Sequence, residues 1–394
     1  MDLWCQKEKI EQPKKILFLY TMTGGGHKGL AIPIKKYYEK YFPDIEFEAI
    51  DPFILVNSED NCKFTNNLMS NWPNFYKYLC KIGSNFKILE CLTKKSMTFF
   101  SSSIAEEINK KDADIIISNQ PYIIQLLGQQ KKKGKISSAV ISNLIDLNFD
   151  SIQNFYLNDY MDAYIVATDE MAKTMVKNGI DKEKIFVVNG LPAKEDLFKE
   201  YNQKEIRKNL RIIETLPMVV IAGGAVGQGI VDEVYEKILE LDMKIQIVVI
   251  AGNNEKLYNK LNKIKEQNKS FNTVSTIIRY TNSYHDYIRA SDIVVSKCGS
   301  GSVAEILAIK KPLILFNDLP IVEEANLKYL IENSFAVQMK DSKHGSELVK
   351  DLIENPYKLE LMTENQKKKI KSEECLSNIY KVICKIYMKI SQNN

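Results

Sequence analysis

Lys14 to Tyr20 (KKILFLY) is a short apolar run that ends in Thr21-Met22-Thr23-Gly24-Gly25-Gly26-His27, after which Leu30 to Tyr41 places apolar residues at helical spacing. The order is strand, glycine loop, helix. It recurs where Ile45 to Ile50 ends at Asp51-Pro52, Asp114 to Ile117 at Ser118-Asn119-Gln120-Pro121, Ser138 to Ile141 at Ser142-Asn143, and Ala163 to Val166 at Ala167-Thr168. Apolar strands that alternate with helical stretches and end in polar residues predict a parallel sheet with helices on both faces.

A second series begins after Pro217. Met218 to Ala222 ends in Gly223-Gly224-Ala225-Val226-Gly227, Ile245 to Ile250 in Ala251-Gly252-Asn253-Asn254, Ile293 to Val295 at Ser296, and Leu313 to Phe316 at Asn317-Asp318. The chain therefore reads as α/β, with two doubly wound halves. In such sheets ligands bind beyond the carboxyl ends of the strands, so two facing halves predict an interdomain cleft. The expected division is an N-terminal domain over 1–192, a linker over 193–215, a C-terminal domain over 216–374, and a last amphipathic helix within 375–394 that packs across both.

A length of 394 residues agrees with two domains, because single cores stop growing at about 250 to 300 residues. The chain is 45% hydrophobic and 26% charged, a globular profile. The net charge of +4 and the scattered aromatics show no basic face for nucleic acid. Lysines do cluster at 131–133 and 367–371, either as solvated helix faces or as contacts for phosphate or anionic lipid.

The seven cysteines are irregularly spaced, without a CxxC pair or histidines at zinc spacing, so the sequence predicts reduced thiols and no metal site. Met1 to Pro13 lacks a signal-peptide core, and no run of about 18 apolar residues follows. A cytoplasmic protein, held peripherally at the inner face of the cell membrane, is the expectation.

Gly25 and Gly26 let backbone approach a ligand at a helix N-terminus that favours negative charge. His27 follows them where strand ends converge. A loop histidine can simply cap or pack; used chemically, its ordinary pKa of about 6.5 lets it take a proton from a hydroxyl near neutrality. His285 and His344 have no comparable setting and read as structural or surface residues.

In the second half, Gly299, Ser300, Gly301 and Ser302 again lie between a strand and a helix, a place where amides and hydroxyls can hold a pyrophosphate. Glu305, one turn on, can accept from two neighbouring hydroxyls such as a ribose pair, or simply favour the helix dipole. The 320–326 segment, PIVEEAN, offers polar side chains for sugar hydroxyls or an ordinary helix start. Met69 to Phe86 puts Trp72, Phe75, Tyr76, Leu79 and Ile82 on one helical face near Lys77, Lys81 and Lys87. That stripe fits a core helix or one lying at a membrane surface.

Taken in order, these motifs resemble the GT-B glycosyltransferases that include monogalactosyldiacylglycerol synthases and processive diacylglycerol glucosyltransferases. The N-acetylglucosaminyltransferase acting on lipid I is a more distant resemblance. The resemblance runs from about Lys14 to Val337. The segment Thr23 to His27 is similar to the family's glycine loop and catalytic histidine, and the region around Tyr76-Lys77-Tyr78-Leu79 to the lipid-docking segment. Gly223, Gly224 and Gly227, with the Lys297 to Glu305 stretch, resemble the donor diphosphate and ribose sites, and residues 312–326 place Glu323 and Asn326 near the hexose. Two positions depart: Val322 stands where the family often has Gln, and Asn143, in the acceptor region, where it has Asp.

The resemblance implies an inverting, metal-independent transfer, without a cofactor, from a UDP-hexose (UDP-glucose or UDP-galactose) to a membrane lipid, foremost diacylglycerol. His27 is then the base. The alternatives are another lipid-linked or small acceptor, a UDP-sugar epimerase, and a nucleotide-sugar-binding protein without catalysis.

Overall fold

The structure, a computed structural model, describes residues 11–21, 26–55, 102–149, 157–268, 271–316 and 320–392, with side chains from 323 onward in the last stretch. The expectations for Gly25, Trp72, Tyr76 and the Val322 side chain lie outside the described residues. The chain divides into two compact units, one of residues 1–193 with 372–394 and the other of residues 194–371.

The first unit is built on a parallel sheet of β1 (Lys15–Leu19), β2 (Glu46–Ile50), β3 (Ile115–Ser118), β4 (Ala139–Asn143), β5 (Ala163–Val166) and β6 (Ile185–Val187), in the order β2-β1-β3-β4-β5-β6. The central strands β3, β4 and β5 are buried along their whole length, as a sheet covered on both faces requires, and so read as continuous apolar runs. The order reverses between β1 and β3, where Leu19 pairs with Ser118. In open parallel sheets such a reversal of strand order is where ligands bind, beyond the carboxyl ends of the strands.

The second unit repeats the plan. Its strands β7 (Met218–Ala222), β8 (Gln246–Ile250), β9 (Val274–Ile278), β10 (Ile293–Lys297), β11 (Leu313–Phe316) and β12 (Ala336–Gln338) run parallel in the order β12-β11-β10-β7-β8-β9. Here the reversal falls between β7 and β10, so the glycine loops after both strands open at one place.

Strands β6, β9 and β12 are absent from the apolar pattern of the sequence because they are sheet edges. Each is short or only partly buried, and Val274 in β9 is largely exposed.

The last helix, Ser372–Ser391, belongs to the first unit. Cys375, Leu376, Ile379, Tyr380, Val382, Ile383, Cys384 and Ile386 enter the same core as Ile16 and Phe18 of β1, Ile115 and Ile117 of β3, and Ile141 of β4. Tyr380 stacks on Phe42 at 3.8 Å between ring centroids.

The stretch expected as a linker is folded into the second unit. The helix Gln203–Asn209 buries Arg207, whose guanidinium donates to the carbonyls of Ala290, Glu214 and Leu216 and pairs with Asp292 at 2.8 Å. A buried guanidinium carries five donors, and this set of partners fixes the segment against β7 and β10.

Lys131 turns inward to Asp162 and to the Ser138 carbonyl, whereas Lys132 and Lys133 are exposed. In the second cluster Lys367 pairs with Glu364 and Lys369 donates to Asn333, and Lys368 is exposed. Among the described residues no helix is long and apolar enough to cross a membrane.

Candidate active site

In the first unit the helix Gly26–Tyr41 starts just after β1, and His27 is its second residue. His27 Nδ1 lies 2.9 Å from the backbone oxygen of Asn119, at the end of β3, and Asn119 Nδ2 donates back to the His27 carbonyl at 2.8 Å. A carbonyl can only accept, so Nδ1 carries the proton and the neutral ring keeps its lone pair on Nε2. Burial lowers the His27 pKa to about 4, outweighing the Asn119 contacts that favour the charged form. The imidazole is thus neutral, oriented and able to accept a proton.

Ser118 pairs with Ser142 in register, so Asn119 and Asn143 lie side by side at the ends of β3 and β4. Both are buried, and Asn119 Oδ1 and Asn143 Nδ2 have no hydrogen-bond partner among the described residues. Unpaired buried amides cost on the order of 1–3 kcal/mol each, and a hydroxyl-bearing ligand would satisfy them. A Cβ on Gly26 would meet nothing within 4 Å. Among the described residues nothing crowds this end of the helix.

In the second unit, close packing demands glycines in the loop after β7. A Cβ at Gly223 would lie 2.2 Å from the Gln228 oxygen; at Gly227, where φ is +58°, it would lie 2.3 Å from the Ala251 oxygen. Gly224, with φ of +75°, faces Lys297 Cε and Ser302 Oγ at 3.5 and 3.9 Å from an added Cβ.

Beyond β10, Gly299 caps the helix Ser300–Ile309, which has no acidic residue in its first turn and so leaves its amide dipoles unopposed. Gly301 and Ser302, both half-buried, sit in that turn. Lys297 Nζ pairs with Glu323 Oε1 at 3.1 Å, both side chains well buried, and Asn326 Nδ2 donates to Ser300 Oγ at 3.2 Å. Gly224, Gly299, Ser302 and Glu323 thus surround the Lys297 side chain, with Ser300 and Asn326 joined beside it.

Glu305 lies in the next turn. His285, read from sequence as structural or superficial, approaches it with Nε2 3.0 Å from Oε1.

Asn119 and Lys297 were within reach of the sequence, since each stands at a strand's carboxyl end beside a residue already singled out. Nothing local marks His285. Among the described residues no group of three or more His, Cys, Asp or Glu side chains is arranged to hold a metal ion.

Two doubly wound parallel units with glycine loops at their switch points define the GT-B architecture, and comparison with solved structures agrees. MurG of Acinetobacter baumannii superposes with a TM-score of 0.61 at 11% identity, covering 95% of this chain and 100% of its own. The family model "Monogalactosyldiacylglycerol (MGDG) synthase" matches residues 44–193, and "Glycosyltransferase family 28 C-terminal domain" matches residues 218–381. Monogalactosyldiacylglycerol synthase 1 of Arabidopsis thaliana is 27% identical over 98% of this chain and 73% of its own length. The processive diacylglycerol beta-glucosyltransferase of Bacillus mycoides is 27% identical over 64% of this chain and 63% of its own. The chain is a glycosyltransferase of GT-B fold that is similar to the monogalactosyldiacylglycerol synthases and to the processive diacylglycerol glucosyltransferase across both of its units.

Proposed function

We propose that this glycosyltransferase moves a hexose from UDP-glucose or UDP-galactose to the free hydroxyl of diacylglycerol, with inversion at the anomeric carbon. The observation that carries the reading is the locked His27 ring, whose Nδ1–H is committed to Asn119 and whose Nε2 accepts. His27 Nε2 takes the acceptor hydroxyl proton as the oxygen bonds to the anomeric carbon. The bond from that carbon to the β-phosphate oxygen breaks, and UDP leaves with the electron pair.

The first-turn amides of the Ser300–Ile309 helix and the Lys297 ammonium stabilise the charge that grows on the diphosphate, a contribution that can dominate such catalysis. Gly223, Gly224 and Gly227 shape the loop opposite. Glu305 binds the ribose, and Glu323 and Asn326 read the hexose. Asn143 and Gly26 border the acceptor, with Gly25, Trp72 and Tyr76 assigned to the acceptor by the sequence pattern alone. Exposed Lys132, Lys133 and Lys368 offer contact to anionic lipid, in keeping with peripheral attachment to the inner face of the cell membrane.

The test is transfer of radiolabelled hexose from each UDP-sugar to vesicles containing diacylglycerol. A glycolipid product that falls about 10²–10⁴-fold in His27→Ala supports the reading. Full turnover in that variant removes His27 as base, and UDP-hexose binding without any lipid product points to a different acceptor.

A further inference from the structure

The Glu305 side chain is 31% exposed and rises from the second turn of the Ser300–Ile309 helix. Against it lies His285, from the helix Tyr284–Ala290, with a side chain 16% exposed and Nε2 3.0 Å from Oε1. This approach lacks hydrogen-bond geometry, and the buried Nε2 has no hydrogen-bond partner among the described residues, so the contact is the proximity of a donor-capable nitrogen to a carboxylate oxygen. Tyr284 holds the imidazole from its edge, the rings 5.4 Å apart and 74° inclined. Burial, together with the Glu305 charge, disfavours ionisation of the Tyr284 phenol, which therefore stays neutral beside the pair.

A glutamate side chain turns about three torsions, and one that must meet a ribose pair gains by losing that freedom before the ligand arrives. We propose that His285 is a positioning residue that anchors Glu305 Oε1, so that Oε2 is presented to the ribose hydroxyls of the donor nucleotide. Preference for a ribonucleotide over its deoxy form then depends on a side chain that does not itself touch the ligand. The inference rests on the reading of the second unit as the UDP-sugar site. A pair that merely ties two helices together would affect stability and leave nucleotide preference alone.

The experiment is calorimetric titration of the full chain with UDP and with 2′-deoxy-UDP, for wild type, Glu305→Ala, His285→Ala and His285→Gln. The wild type should favour UDP by about tenfold or more, the scale of hydrogen bonds from hydroxyls to a carboxylate. Glu305→Ala should abolish that preference. His285→Ala should reduce it to about threefold or less and raise the KM for UDP-hexose while kcat changes by less than about twofold.

His285→Gln, which can return an N–H near the position of Nε2, should recover most of the preference. It also decides the matter if the alanine variant is too unstable to titrate. A folded His285→Ala protein with wild-type preference overturns the inference. Glu305→Ala with wild-type preference instead overturns the ribose role of Glu305, and no UDP binding by the wild type overturns the donor-site reading itself.

Discussion

Acidification should leave transfer running well below the pH at which an ordinary histidine base would stop it. Burial holds the His27 pKa at about 4 against 6.5 for a free imidazole. At pH 5.5 the neutral, base-competent fraction is then about 97%, whereas an unshifted ring would retain about 9%. The assay is kcat/KM for hexose transfer between pH 4 and 8, in vesicles whose lipid does not titrate in that range. It is paired with an NMR titration of the His27 imidazole in a His344→Gln background to thin the spectrum. Activity nearly flat down to pH 5.5, with an acid limb close to 4, is expected; half-loss of activity near pH 6.5 would refute the buried-base argument.

The same shift carries a stability signature. A folded-state pKa below the unfolded value means that the unfolded chain takes up the proton first. The stabilising contribution is therefore complete above pH 6.5 and is lost as pH falls from 6.5 towards 4, amounting to roughly 2–3 kcal/mol for a half-buried ring. His27→Ala should flatten that part of the stability profile.

Three other outcomes are expected. Gly227→Ala forces a Cβ to 2.3 Å from the Ala251 oxygen at a φ of +58°, so the urea midpoint should fall by the equivalent of about 1–3 kcal/mol and UDP should bind less tightly; an unchanged midpoint would contradict the packing. Lys297→Met should weaken UDP about ten- to a hundredfold by calorimetry but UMP much less, since the proposed donor site sets the second phosphate of UDP beside Lys297; equal losses would show that the lysine merely supports the loop. Ending the chain after Lys371 removes eight buried side chains from the first unit's core. At about 1.5–3 kcal/mol each, that loss rivals or exceeds the whole stability of a domain, roughly 5–15 kcal/mol. The truncated protein should show no cooperative thermal transition for the first unit by circular dichroism, and a retained one would sink the argument.

Much of this fold was legible in the chain because its information is local. An apolar run of four to six residues that ends in Gly, Ser or Asn reports a buried parallel strand and the loop at its carboxyl end, which is why β1, β3, β4, β7, β10 and β11 could be read directly. The glycine loops and His27 followed from the same pattern. Of the edge strands only β2 was legible; β6, β9, β12 and the 194–215 segment were not, since they are short or partly buried or their partners are distant: Arg207 is explained by Asp292 and by carbonyls at 214, 216 and 290.

The sequence by itself determined two parallel α/β halves, the glycine-rich stretches that follow their strands, and a histidine at the first of them. Only the tertiary structure decided that Asn119 locks that histidine from 92 residues away, that Glu323 meets Lys297, that His285 lies against Glu305, and that the last helix completes the first unit. The reason is physical. Hydrophobic periodicity records which face of an element is buried, whereas parallel strand order and helix packing set which distant side chains share an end, and that order is a property of the assembled sheet.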